Sequence, residues 1–191
     1  MAGRWMRLGL YGADGIPGAD ALGAGIEQMV TGITSPPDTQ RGIAARLRYL
    51  TTSPAGYAAM DRTGLTVTPR TLYAWLAEER LPTPANRRKL DDAYWDLRRR
   101  NVAADLKRRL KAGGGTRIEI DPVDQSRVAA PHRRDVQVRR LTVRPRVWEA
   151  AVDAWLADDH EALDAIWDDL IQDLGSDYDA YSYVSSLGWN A

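Results

Sequence analysis

Five side chains within Thr68–Arg80, TPRTLYAWLAEER, have the chemistry to meet a nucleic acid: Thr68, Arg70, Thr71, Tyr73 and Arg80. A guanidinium can bridge two acceptors on a base edge, a hydroxyl can donate to a base or a phosphate, and a phenol offers a ring face with a polar tip. Arg87, Arg88 and Lys89 follow as a cluster of cations. Such cations suit phosphates, which fix a protein's register on a duplex without reading its sequence. The cluster reads equally well as a solvated helix face, balanced in part by Asp91, Asp92, Asp96 and Asp105.

The elements that must position these groups are legible nearby. Thr68 is placed to cap a helix and Pro69 suits the first helical position, where a missing N–H costs nothing. Leu72, Trp75 and Leu76 share one face at three- and four-residue spacing, which leaves Arg70, Thr71, Tyr73 and Ala74 on the other. Upstream, Tyr57-Ala58-Ala59-Met60 predicts a short apolar helix, and Gly64 supplies a sharp turn before Leu65 and Val67. Helix, Gly-containing turn and a helix with an exposed first turn make a helix-turn-helix. Thr68–Glu78 is then expected to enter a DNA major groove, with Arg70, Thr71 and Tyr73 near bases and Thr68 near phosphate. An ordinary helical hairpin in an α-helical core carries the same pattern.

Composition narrows the choice. The 191 residues are 44% hydrophobic and 27% charged, ordinary for a globular chain. With no cysteine there is no disulfide and no Cys-ligated zinc or iron–sulfur site. Two histidines, His132 and His160, do not make a His-rich metal site or a Ser/His enzyme. The N-terminal MAGRWMRLGLYGADG lacks the apolar run of a secretory signal, and no segment approaches a membrane span. A cytoplasmic, nucleoid-associated protein is expected. The net charge is +0, yet its distribution is lopsided: arginines crowd the region from Arg41 to Arg146, and no Lys or Arg follows.

Along the chain, Ala19–Thr31 predicts an amphipathic helix weakened by Gly23 and Gly25, with Trp5, Leu8, Leu10 and Tyr11 available to dock before it. Gln40–Thr51 predicts a helix with Ile43, Ala44, Leu47 and Leu50 inward and Arg41, Arg46 and Arg48 outward; Ser53-Pro54 starts the next. Thr83-Pro84 opens a helix to about Lys111. Its stripe changes from Leu90, Tyr94 and Leu97 to Val102, Leu106 and Leu110, which predicts a kink or break near Asn101. After Gly113–Gly115, Thr116, Ile118 and Ile120 alternate with charges as a strand ended by Pro122. A long loop, 122–135, leads to a second strand over Val136–Val143, with a bulge at Arg139-Arg140. Helices follow over 145–157 and 158–174, then a last strand at Tyr181–Val184. The fold class is α+β, with expected divisions 1–39, 40–112 and 113–191, the last a β-β-α-α-β module.

No enzyme chemistry is legible. Gly113–Gly115 lacks the lysine and hydroxyl of a phosphate-binding loop and runs helix to strand rather than strand to helix. The acidic residues of 149–179 have the spacing of a solvated helix face rather than of metal ligands. The expectation is a binding protein, with no catalytic residue, metal or cofactor.

The order of parts resembles the telomere-associated terminal proteins of actinobacterial linear chromosomes and plasmids. The residues that carry it are Arg41–Leu50 (RGIAARLRYL), Thr68–Trp75 (TPRTLYAW) and the Pro84–Arg100 helix. The resemblance implies binding to telomeric DNA, a telomere-binding protein and a DNA polymerase as partners, and a priming hydroxyl just after the basic helix. That position falls on Thr116, which on residue pattern alone is an inward strand position. The uniformly acidic end departs from the family. Two further readings stand beside it: a transcriptional regulator that dimerises or binds an effector through its C-terminal module, and an assembly subunit built on the tryptophan-rich acidic region.

Overall fold

The structure is a computed structural model describing residues 8–190. Trp5 and the side chains of Leu8 and Leu110, for which packing roles were expected, lie outside what it describes. The chain is α+β, with helices α1 (Gly18–Gln28), α2 (Gln40–Thr51), α3 (Pro54–Arg62), α4 (Pro69–Leu76), α5 (Pro84–Ala112), α6 (Pro145–Leu156) and α7 (His160–Gln172). Strands β1 (Ile16–Pro17), β2 (Thr116–Pro122), β3 (Arg139–Val143) and β4 (Tyr183–Asn190) form an antiparallel sheet in the order β1-β4-β2-β3. No helix among the described residues is long and apolar enough to cross a membrane.

Two compact units emerge: Val30–Val102, and a discontinuous one joining the chain up to Met29 with the chain from Ala103 onward. The divisions expected at 39/40 and 112/113 differ from these. The first helix does not stand apart, because α1 packs on α6, α7 and β4. Gly25 is what lets it approach: a Cβ there would lie 2.6 Å from Trp189 Nε1. Ile118 pairs with Trp189 across the ladder, so both face the helices, and Trp189 meets Trp148 of α6 edge-on at 4.7 Å. Glu119, Arg140, Asp121 and Ser186 lie on the opposite face, joined as Glu119–Arg140 and Asp121–Ser186 pairs.

Four local expectations change. α5 is unbroken through Asn101. Leu90, Ala93, Tyr94 and Leu97 pack in the core of 30–102, whereas Lys107 pairs with Asp153 of α6 in the other unit. The helix crosses the boundary between the two units, so its apolar stripe shifts phase without a break. β3 begins at Arg139 rather than Val136, and its register with β2 is regular from Thr116–Val143 to Ile120–Arg139. The irregularity lies instead between Asp121 and Pro122 against β4, where proline has no N–H to give. β4 runs over Tyr183–Asn190 rather than Tyr181–Val184, and it is an interior strand of the sheet. The 122–135 loop folds on itself, with Gln125 bonded both ways to the Arg134 backbone and Arg133 donating to Val128 O. Tyr11 docks by stacking on His132 at 4.4 Å.

Candidate nucleic-acid interface

Hydroxyl caps set the starts of the helices in the 30–102 unit. Ser53 Oγ accepts from Gly56 N–H at 3.3 Å, Thr68 Oγ1 from Thr71 N–H at 3.2 Å, and Thr83 Oγ1 from Asn86 N–H at 3.3 Å. The core gathers Ile43, Leu47 and Leu50 of α2, Ala59 and Met60 of α3, Leu65, Trp75 of α4, and four residues of α5. Gly56 permits the tight α2–α3 approach, since a Cβ would lie 1.8 Å from Leu50 O. Gly64 makes the turn: its φ is +68°, and Leu65 N–H reaches back to Met60 O at 2.9 Å. α3, the connection 63–68 and α4 thus reproduce the expected order of helix, turn and helix.

α4 is inserted as its spacing requires. Trp75 is buried and Leu72 and Leu76 pack against the core, while Thr68 and Arg70 are exposed, Thr71 is half-buried and Tyr73 is 70% exposed. The helix stops at Leu76 instead of Glu78, because Glu78 takes a left-handed φ of 61°. That turn lets Glu79 N–H reach Ala74 O at 3.0 Å, a helix-ending geometry usually given to glycine. The Glu78 carboxylate is tied to α2 by Gln40 Nε2 at 2.8 Å and Arg48 at 3.4 Å.

The cations sort into two groups. Arg46, expected outward, is 3% exposed: it pairs with Asp91 at 2.6 Å, donates to Ser35 O and Gly42 O, and lies 5.2 Å from the Tyr94 ring centroid. A long side chain on the helix flank reaches a carboxylate on α5 that periodicity cannot reveal. Arg62 and Arg100 both hold Asp96. Burial pushes the Asp96 carboxyl up, but these two guanidiniums outweigh it and hold it below the usual carboxylate range. Arg87 Nε donates to Pro82 O at 2.9 Å, and Lys89 Nζ to Gly64 O at 2.8 Å, which sets an ammonium at the α3–α4 turn. Arg41, Arg70, Arg80 and Arg88 make no ion pair among the described residues. Of the expected phosphate cluster, Arg88 is therefore uncommitted, and Arg87 and Lys89 also brace the fold.

Thr116, the position the resemblance implies for priming, is 6% exposed in β2, opposite Val143. It belongs to the other unit. A cleft of about 300 Å³, by contrast, went unread in the sequence. It opens between α3 and α4 and is lined by Tyr57, Met60, Asp61, Leu65, Thr66, Val67, Pro69, Leu72 and Tyr73. Its one legible signal was the Tyr57/Asp61 pair at four-residue spacing, out of phase with the buried Ala59 and Met60. Against protein-family models, curated proteins and solved structures, the chain gives no match.

Proposed function

We propose that this is a DNA-binding protein of a linear plasmid, a chromosome end or a mobile element, with α4 as its groove helix. In this it is similar to telomere terminal proteins that bind terminal DNA. One observation carries the reading: α4 is anchored through Trp75 while Arg70, near its N-terminus, is exposed and unpaired among the described residues beside the exposed Tyr73. A guanidinium so presented can take the two acceptors of a guanine edge. Charge supports it, since Val30–Val102 holds 12 Lys and Arg against 7 Asp and Glu, a net +5. Its partners are DNA, a telomere-binding protein, a DNA polymerase, and a second copy bound through the C-terminal unit. Its role is binding rather than catalysis, at the nucleoid.

Anisotropy with a labelled duplex between 50 and 200 mM salt tests it. Affinity falls with salt in proportion to the phosphates engaged, and Arg70→Ala weakens binding by roughly 5- to 100-fold. Salt-insensitive binding, or an Arg70→Ala variant that binds like the parent, removes the reading. A second reading, a transcriptional regulator of the same architecture, is favoured by the inward seat of Thr116. Labelled nucleotide that becomes protein-bound with polymerase present, and is lost in Thr116→Ala, would reject it in favour of priming.

A further inference from the structure

Two large aromatic side chains stand exposed where the fold does not need them. Tyr57 on α3 is 45% exposed and Tyr73 on α4 is 70% exposed, neither belongs to the core, and both line the same cleft. Beneath them the lining is apolar: Met60 and Leu65 are buried, and Val67 and Leu72 pack on the core. At the rim are the hydroxyl of Thr66 and the carboxylate of Asp61, which makes no hydrogen bond or ion pair among the described residues. About 300 Å³ is the lower end of small-ligand sites, suited to one planar ring system rather than a helix.

We propose that this cleft holds one unpaired nucleobase of a DNA strand, an inference that rests on the DNA-binding reading above. A nucleobase answers the tyrosine rings, the apolar lining and the carboxylate together. Its faces stack on tyrosine, its ring covers the apolar lining, and an exocyclic amine, as on cytosine, donates to the Asp61 carboxylate. The attached phosphates meet the basic unit, whose Lys89 ammonium sits at Gly64, next to Leu65 of the lining. An apolar side chain of a protein partner would leave the carboxylate unanswered and place no negative charge beside the net +5 unit. The cleft thus selects DNA with a strand end or a distorted step over continuous duplex, because a stacked, paired base has no free face to offer.

The test compares a labelled blunt duplex with the same duplex carrying a four-nucleotide 3′ overhang of dC or of dT. The parent protein binds the dC overhang about tenfold tighter than the blunt duplex. Tyr57→Leu, which keeps an apolar side chain at an exposed position, loses that preference while its blunt-duplex affinity stays within twofold. Asp61→Asn narrows the advantage of dC over dT. Equal affinity of the parent for blunt and overhang DNA, or a preference retained in Tyr57→Leu, overturns the proposal even if salt-dependent duplex binding is present. Loss of self-association in Tyr57→Leu by sedimentation, with DNA binding unchanged, assigns the cleft to a second copy and overturns it too. Absence of any DNA binding sinks this inference together with the function it rests on; duplex binding without overhang preference sinks this one alone.

Discussion

At the scale of single residues, the arginines of this chain are not one population. Arg46 is enclosed and hydrogen-bonded, Arg62 and Arg100 clamp Asp96, and Arg70 and Arg88 are uncommitted among the described residues. Charge alone treats them alike; burial and partners separate those that hold the fold from those free to bind. Asp96 makes the structural group measurable. Its folded pKa is depressed, so the stabilisation is present above the unfolded carboxyl's value, about 3.9, and is lost as pH falls through the folded one. Asp96→Asn should be less stable than the parent by about 1 kcal/mol at pH 7, a magnitude set by partly exposed pairs. Urea unfolding should show the two converging below about pH 4. A gap of equal size at pH 3 and pH 7 would mean the clamp contributes nothing.

At the scale of elements, α4 spans only Pro69–Leu76, too short to persist alone, and its packing must hold it. Thr68 caps its start, Trp75 anchors its last turn, and Glu78 pins its end to α2 at the expense of a left-handed backbone. A non-glycine residue there costs about 1 kcal/mol, and each exposed bond returns up to about 1. Glu78→Gly should therefore be near neutral, since relief of strain offsets the lost ties to Gln40 and Arg48. Glu78→Ala keeps the strain and loses the ties, and should be less stable by about 1–2 kcal/mol in denaturant titration. If alanine is as stable as glutamate, the ties are idle and α4 rests on its cap and its buried face. The starts of α3, α4 and α5 were legible because each has a capping hydroxyl followed by a proline. The end of β4 was not: Ser-Ser-Leu-Gly-Trp-Asn has little strand pattern, and Ser186–Asn190 pair because β2 lies alongside them, while β1 reaches only Tyr183 and Val184.

At the scale of the whole molecule, charge is divided between the two units. Against the net +5 of Val30–Val102, the remainder carries 14 Lys and Arg and 19 Asp and Glu, a net −5. Asp164, Asp168 and Asp169 lie exposed on α7. Deleting 145–191 would not test the acidic end, since it removes β4 from the middle of the sheet. Asp164→Asn, Asp168→Asn and Asp169→Asn together leave the fold intact and change that unit from −5 to −2. Non-specific DNA affinity should rise several-fold at 50 mM salt and little at 200 mM, as screening shortens the reach of the field. Unchanged affinity at low salt would show that the acidic unit does not oppose DNA.

The sequence by itself determined what depends on near neighbours: the hydroxyl–proline helix starts, the turn at Gly64, the inward Leu72–Trp75–Leu76 stripe, the alternation of Thr116, Ile118 and Ile120, and the α+β class. These follow from hydrogen bonds and periodicities that close within a few residues. Tertiary structure alone decided the rest. It joined α1 to the C-terminal helices through glycine beside tryptophan, ran one helix across the boundary of both units, drew Arg46 inward to Asp91, and brought Tyr57 and Tyr73 to one cleft. Each of these pairs residues far apart in the chain, and only packing, which local pattern does not encode, selects such partners.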